Sequence, residues 1–170
     1  MIGNKGTLGV YTAFPTKCHY TRHLGFNTSP TNLQKAILNT LHRLNGREVK
    51  DNFLNLIVGS NIEIILEFGV ANGLLFEYLN ADTLNTLLRA LNDKILPAMD
   101  FLCILRYYRL RDKKRAALRF DFYLMRFLLD ESGGLKIQIF HDRGLRRVPP
   151  EDLVKFLINE ICLELFAYGD

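Results

Sequence analysis

Apolar residues change their spacing several times along this chain, and each change marks an element. Thr7 to Phe14 is a run rich in β-formers that ends at Pro15, which predicts a short first strand. Residues 15–29 show no period and read as an irregular connection. Ser29-Pro30 then sets a capping hydroxyl before a proline suited to the first helical position. Leu33, Ile37, Leu38 and Leu41 follow at helical spacing until Asn45-Gly46. Farther on, Ile62, Ile64, Leu66 and Phe68 alternate with Glu63, Ile65 and Glu67, the period of a strand with one buried face. Bracketed by Gly59-Ser60-Asn61 and Asn72-Gly73, this stretch predicts a three-strand meander over 53–58, 62–70 and 74–79. Leu84, Leu87, Leu88 and Leu91 form the stripe of a second helix, opened by Asp82 and closed near Lys94.

The second half repeats the order with longer strands. Phe101 to Leu110 is apolar and aromatic, and Arg111 to Arg115 is a charged turn. In the return strand Leu118, Phe120, Phe122 and Leu124 alternate with Arg119, Asp121, Tyr123 and Met125, and the first set is assigned to the buried face. After a turn at Asp130 to Gly134, Leu135, Ile137 and Ile139 alternate with Lys136, Gln138 and Phe140. Pro149-Pro150-Glu151-Asp152 opens a last helix through about Phe166, its acids suited to the helix dipole.

Consecutive strands joined by short turns pair antiparallel. The expected class is therefore α+β, in the order β-α-βββ-α-βββ-α, with a sheet of six to seven strands and three helices on one face. From residue 30 to 166 this order resembles the type III secretion chaperone-like fold, which runs helix, three strands, helix, two or three strands, helix. The resemblance rests on element order alone and implies a dimer that binds other polypeptides. The chain departs from the acidic character of those chaperones with an isoelectric point near 9.0.

A length of 170 residues with 48% hydrophobic and 24% charged residues is that of one globular domain, taken as residues 1–170. The longest stretch without Asp, Glu, Lys or Arg is too short and polar for a membrane span. The residues around Lys5 lack the apolar core of a signal peptide, and three widely spaced cysteines, Cys18, Cys103 and Cys162, do not suggest a disulfide framework. The expectation is a cytoplasmic protein with reduced thiols.

Net charge is only +4, but its distribution is uneven. Residues 106–147 hold twelve Lys or Arg against five Asp or Glu. With the strand phases above, one sheet face mixes cations with rings, the combination that neutralises phosphates and stacks bases. The lead expectation is a non-enzymatic module that binds RNA or single-stranded DNA through this face. Arg106, Arg119, Lys136, Arg146 and Arg147 would meet phosphates, Tyr108, Tyr123 and Phe140 would stack, and Lys113, Lys114, Arg115 and Arg143 would extend the patch. The alternative is a homodimeric protein-binding or assembly-chaperone-like adaptor. It would bury Tyr123, Met125, Phe127 and Phe140 between subunits and use the cations to steer an acidic partner.

Other chemistry is thinner. Cys18, His19 and His23 lie close in sequence but not on an expected helix, so no metal site is assigned. His141-Asp142-Arg143 and the pair Glu63 and Glu67 read as solvated charge rather than catalytic groups. No phosphate-binding glycine loop, nucleophile elbow or metal-ligand motif occurs, so neither cofactor nor catalysis is assigned.

Overall fold

The computed structural model describes residues 7–168. The sequence reading of the segment around Lys5 lies outside them. Eight strands and four helices are present among the described residues: β1 (Thr7–Val10), β2 (Tyr20–Gly25), α1 (Pro30–Leu44), α2 (Asn52–Val58), β3 (Ile62–Asn72), β4 (Leu75–Tyr78), α3 (Ala81–Asp93), β5 (Ala98–Arg111), β6 (Lys114–Ala117), β7 (Asp121–Leu129), β8 (Gly134–Arg143) and α4 (Pro150–Tyr168). The class is α+β. All strand pairs are antiparallel, in the order β1-β4-β3-β5-β7-β8-β2, and β6 pairs with the end of β5 that runs beyond β7.

The helices share one core with one face of the sheet. Leu33, Ile37 and Leu41 of α1 and Leu153, Leu157 and Ile161 of α4 are buried together with Ile64, Leu66 and Phe68 of β3, Phe101 and Leu105 of β5, Met125 and Phe127 of β7, and Ile137 and Ile139 of β8. Each such side chain contributes about 1.5–3 kcal/mol by leaving water. A smaller apolar cluster, Phe76, Leu102 and Ile104, lies on the other face, where Leu8 and Tyr11 pack against it. Residues 8–14 thus lie along the outer face. There the Tyr11 hydroxyl donates to Asp100, and Arg126 holds the same carboxylate at 2.6 Å while covering the Phe14 ring. Desolvation, then the adjoining Asp100 carboxylate, raises the Tyr11 pKa.

Three expectations need correction. Residues 52–58 form helix α2 rather than a strand, because the Asp51 side chain caps the Leu54 amide and Gly59 closes the turn at φ +113°. The predicted meander is therefore a two-strand hairpin and the helix count is four, so the order shared with type III secretion chaperones holds only in part. Within the supposedly irregular 15–29, residues 20–25 pair with β8 as an edge strand. Finally, the phase of β7 is inverted. Tyr123, Met125 and Phe127 are fully buried beneath the helices, while Phe122, Leu124 and Arg126 face outward. Two β5 residues, Arg106 and Tyr107, oppose three, Leu118 to Phe120, between the Tyr108–Ala117 and Leu105–Asp121 pairs. This bulge shifts the alternation by one residue.

Candidate nucleic-acid interface

Antiparallel pairing brings the end of β5, the β5–β6 hairpin, the start of β7 and the end of β8 to one end of the sheet. That end carries most of the cations. The hairpin turns at Asp112 and Lys113, which have φ of 48° and 66°. Positive φ at both central residues is the type I′ geometry that suits the strand twist, here without the usual glycine. Arg109, Arg111, Lys113, Lys114 and Arg115 all stand exposed on this ribbon.

A second group of cations is held by a buried carboxylate. Asp121 has no solvent exposure and lies on the core side of β7. Its Oδ2 accepts from the Tyr107 hydroxyl at 2.6 Å and the Arg147 amide at 2.9 Å. Its Oδ1 accepts from His141 Nε2 at 2.8 Å and the Arg146 amide at 2.7 Å. Four donors thus compensate a charge that would otherwise be costly to bury. They also fasten the loop after β8 across the start of β7. Tyr123 completes the anchor by donating its hydroxyl to the Val148 carbonyl. Burial, followed by the Asp121 charge, raises the Tyr123 pKa; burial and the neighbouring Tyr123 raise that of Tyr107. Gly144 has φ +113° and sits against Asp121 and the Phe120 carbonyl, where an added side chain would collide.

On the outer face the same end is laid with arginine on rings. Arg106 lies 4.5 Å from the Phe120 centroid, Arg115 4.1 Å from Tyr108 and Arg143 4.4 Å from Phe122. Three of these cations also have acid neighbours: Arg106 with Glu67 at 3.0 Å, Arg115 with Glu63 at 2.6 Å and Arg143 with Asp142 at 3.3 Å. Glu63 and Glu67 are therefore paired rather than merely solvated. His19 stacks on Phe140 with centroids 4.6 Å apart, and its Nδ1 accepts from the His141 amide. Desolvation, then the charge of Arg146, lowers the His19 pKa.

The residues expected from sequence divide clearly. Arg106, Tyr108, Lys113, Lys114, Arg115, Arg119, Arg143, Arg146 and Arg147 are brought to one end of the sheet. Phe140 is near them on the outer face, with one side covered by His19. Lys136 is not, because it lies seven residues from Arg143 along β8, about 23 Å at strand rise. Tyr123 is excluded from both stacking and any subunit interface because it is core, and so are Met125 and Phe127. His19 precedes β2 and stacks on Phe140, whereas His23 lies within β2 in register with Lys136, so the two are not brought together. Among the described residues no group of three or more His, Cys, Asp or Glu is placed to hold a metal, and no helix is long and apolar enough to cross a membrane.

The anchoring role of Asp121 was not legible, since an Asp in a strand ordinarily marks the solvent face. Phe120 and Phe122 were assigned inward and are part of the outer surface. Arg109 is a cation of this end that the expected set lacks, while Arg111 belongs to the basic turn expected to extend the patch. No family model, curated protein or solved structure matches the chain.

Proposed function

We propose that the protein is a non-enzymatic nucleic-acid-binding module whose binding surface is the cationic end of the sheet. One observation carries the reading. Arg109, Arg111, Lys113, Lys114, Arg119, Arg146 and Arg147 converge there from the hairpin, the bulge and the anchored loop, and none has an ion-pair partner among the described residues; six are exposed, and Arg147 is half-buried with its guanidinium 5.5 Å from the Tyr107 centroid. Unpaired cations gathered from three segments are what a polyanion requires, whereas cations serving stability would sit beside carboxylates. The three ring-stacked guanidiniums add planar surfaces that bases can cover and N–H edges that phosphates can accept.

The test is fluorescence anisotropy with labelled single-stranded RNA and DNA from 50 to 300 mM salt, with poly-glutamate as an acidic-polypeptide comparator. If all seven cations meet phosphates of a single strand, the slope of log affinity against log salt approaches about −5. Replacing Arg119 and Arg146 by Ala together is expected to flatten it by roughly 1.4, while Lys136→Ala leaves it unchanged. Absence of binding at 50 mM salt sinks the reading. Equal or tighter capture by poly-glutamate assigns the surface to an acidic protein instead.

A further inference from the structure

The bulge between β6 and β7 leaves a depression on the outer face, about 400 Å³ in volume, lined by Leu118, Arg119, Phe120, Phe122 and Gly144. The Phe120 and Phe122 rings, with centroids 6.3 Å apart and planes inclined by 50°, are a tilted contact pair that forms its aromatic floor. No acid lines the depression. Arg106 and Arg143 lie over the two rings, and Arg119 lines the site without an ion-pair partner among the described residues. Arg106 and Arg143 are paired with Glu67 and Asp142, so the free charge beside this aromatic floor is that of Arg119 and the Arg146–Arg147 segment, which fits a flat, uncharged ring attached to an anionic backbone.

We infer that this depression takes one unstacked base of a single-stranded nucleic acid, with the adjoining phosphates on Arg119 and the Arg143–Arg147 loop. The inference rests on the nucleic-acid reading and narrows it to single strands. A base inside a duplex is stacked and paired, and its face cannot lie on these rings; the duplex presents only phosphates to the same cations. Gly144 contributes by letting the chain turn sharply against Phe120 and Asp121, which brings the cationic loop to the edge of the depression.

The test compares three labelled probes of equal length at one salt concentration: oligo-dT, the same phosphodiester chain made abasic, and a duplex. The proteins are wild type and Phe122→Leu, whose fold is checked by thermal melting. The result expected is that oligo-dT binds the wild type roughly tenfold or more tighter than the abasic chain, and that Phe122→Leu removes most of this difference. A 5-iodouracil oligomer is expected to crosslink at Phe120 or Phe122. Should Phe122→Leu fold poorly, Phe120→Leu and the crosslink map decide. Equal binding of oligo-dT, abasic chain and duplex overturns the base site while leaving the polyanion reading standing. Failure of all three probes to bind at 50 mM salt overturns both.

Discussion

Asp121 offers the sharpest test of how the site is built, because substitution by Asn and by Ala make different demands on the same four donors. In Asp121→Asn one acceptor becomes an NH2. If the NH2 replaces Oδ1, His141 can change tautomer and accept, but the Arg146 amide is left facing a donor. If it replaces Oδ2, the Tyr107 hydroxyl can rotate and accept, but the Arg147 amide is orphaned. Either way one backbone N–H loses its partner, at about 1–3 kcal/mol. Asp121→Ala strips all four donors. Simple addition overstates the loss, because water can enter and the loop can detach, so about 3–5 kcal/mol is expected. For a chain of this size each kcal/mol lowers the melting midpoint by roughly 2–4 °C. Urea and thermal unfolding measure both variants. Hydrogen exchange follows the Arg146 and Arg147 amides, expected to be protected in wild type and fast in Asp121→Ala. An Ala variant within about 1 kcal/mol of wild type, with those amides still protected, would refute the assignment of Asp121 as the anchor.

Three further outcomes follow from local geometry. Lys113→Gly removes the strain of a side chain at φ 66° and is expected to stabilise the protein by up to about 1 kcal/mol in urea melts. With one cation fewer, it also flattens the salt slope by roughly 0.7. Tyr123→Phe deletes the bond to the Val148 carbonyl and costs about 1 kcal/mol, with nucleic-acid affinity unchanged because the ring is core. His19, its pKa lowered by desolvation and by Arg146, is expected to titrate below 6.5 in the folded protein by NMR. Protonation then favours the unfolded chain, so the His19 contribution to stability is full above pH 6.5 and is lost as pH falls through its folded value. A folded value at or above 6.5 contradicts that account.

What was legible in the chain was what local chemistry determines. The Ser29-Pro30 start of α1 is realised, with the serine Oγ accepting from the Asn32 amide, whereas α3, expected to open at Asp82, starts at Ala81 on the Asn80 side chain accepting from the Thr83 amide. The strand periods of β3, β5 and β8 and the turn at 130–134 were also visible. The failures share a cause, which is that distant residues decide. Residues 53–58 carry strand-forming Ile57 and Val58, and their helix depends on Asp51 and Gly59 at its ends. The edge strand β2 has a weak pattern of its own and exists by pairing with β8. For β7 both faces are apolar, Phe122 and Leu124 on one, Tyr123, Met125 and Phe127 on the other. Its phase is set by a bulge and by donors from the loop beyond β8 that make an inward Asp121 tolerable.

The charge count misled for a related reason, and the correction is itself testable. Residues 106–147 are strongly basic in isolation, but β3 pairs with β5 and brings Glu63 and Glu67 from outside that segment onto the sheet face. Arg106 and Arg115 are thereby neutralised, whereas Lys113 and Lys114 in the hairpin and Arg146 and Arg147 after β8 have no ion-pair partner among the described residues. Glu63→Gln breaks the pair with Arg115 while keeping shape and hydrogen-bonding capacity. The pair is half-exposed, so stability is expected to fall by less than about 1 kcal/mol. The released Arg115 guanidinium, still on the Tyr108 ring, becomes an eighth cation for the polyanion, steepening the single-strand salt slope by roughly 0.7 and tightening binding a few-fold at low salt. Glu77→Gln, on β4 and bonded to Asn72, removes the same charge with no cation to release among the described residues and serves as the control. If both variants raise affinity equally, net charge rather than a localised cationic end governs binding. If only Glu63→Gln does, the end of the sheet is the surface that meets the phosphates.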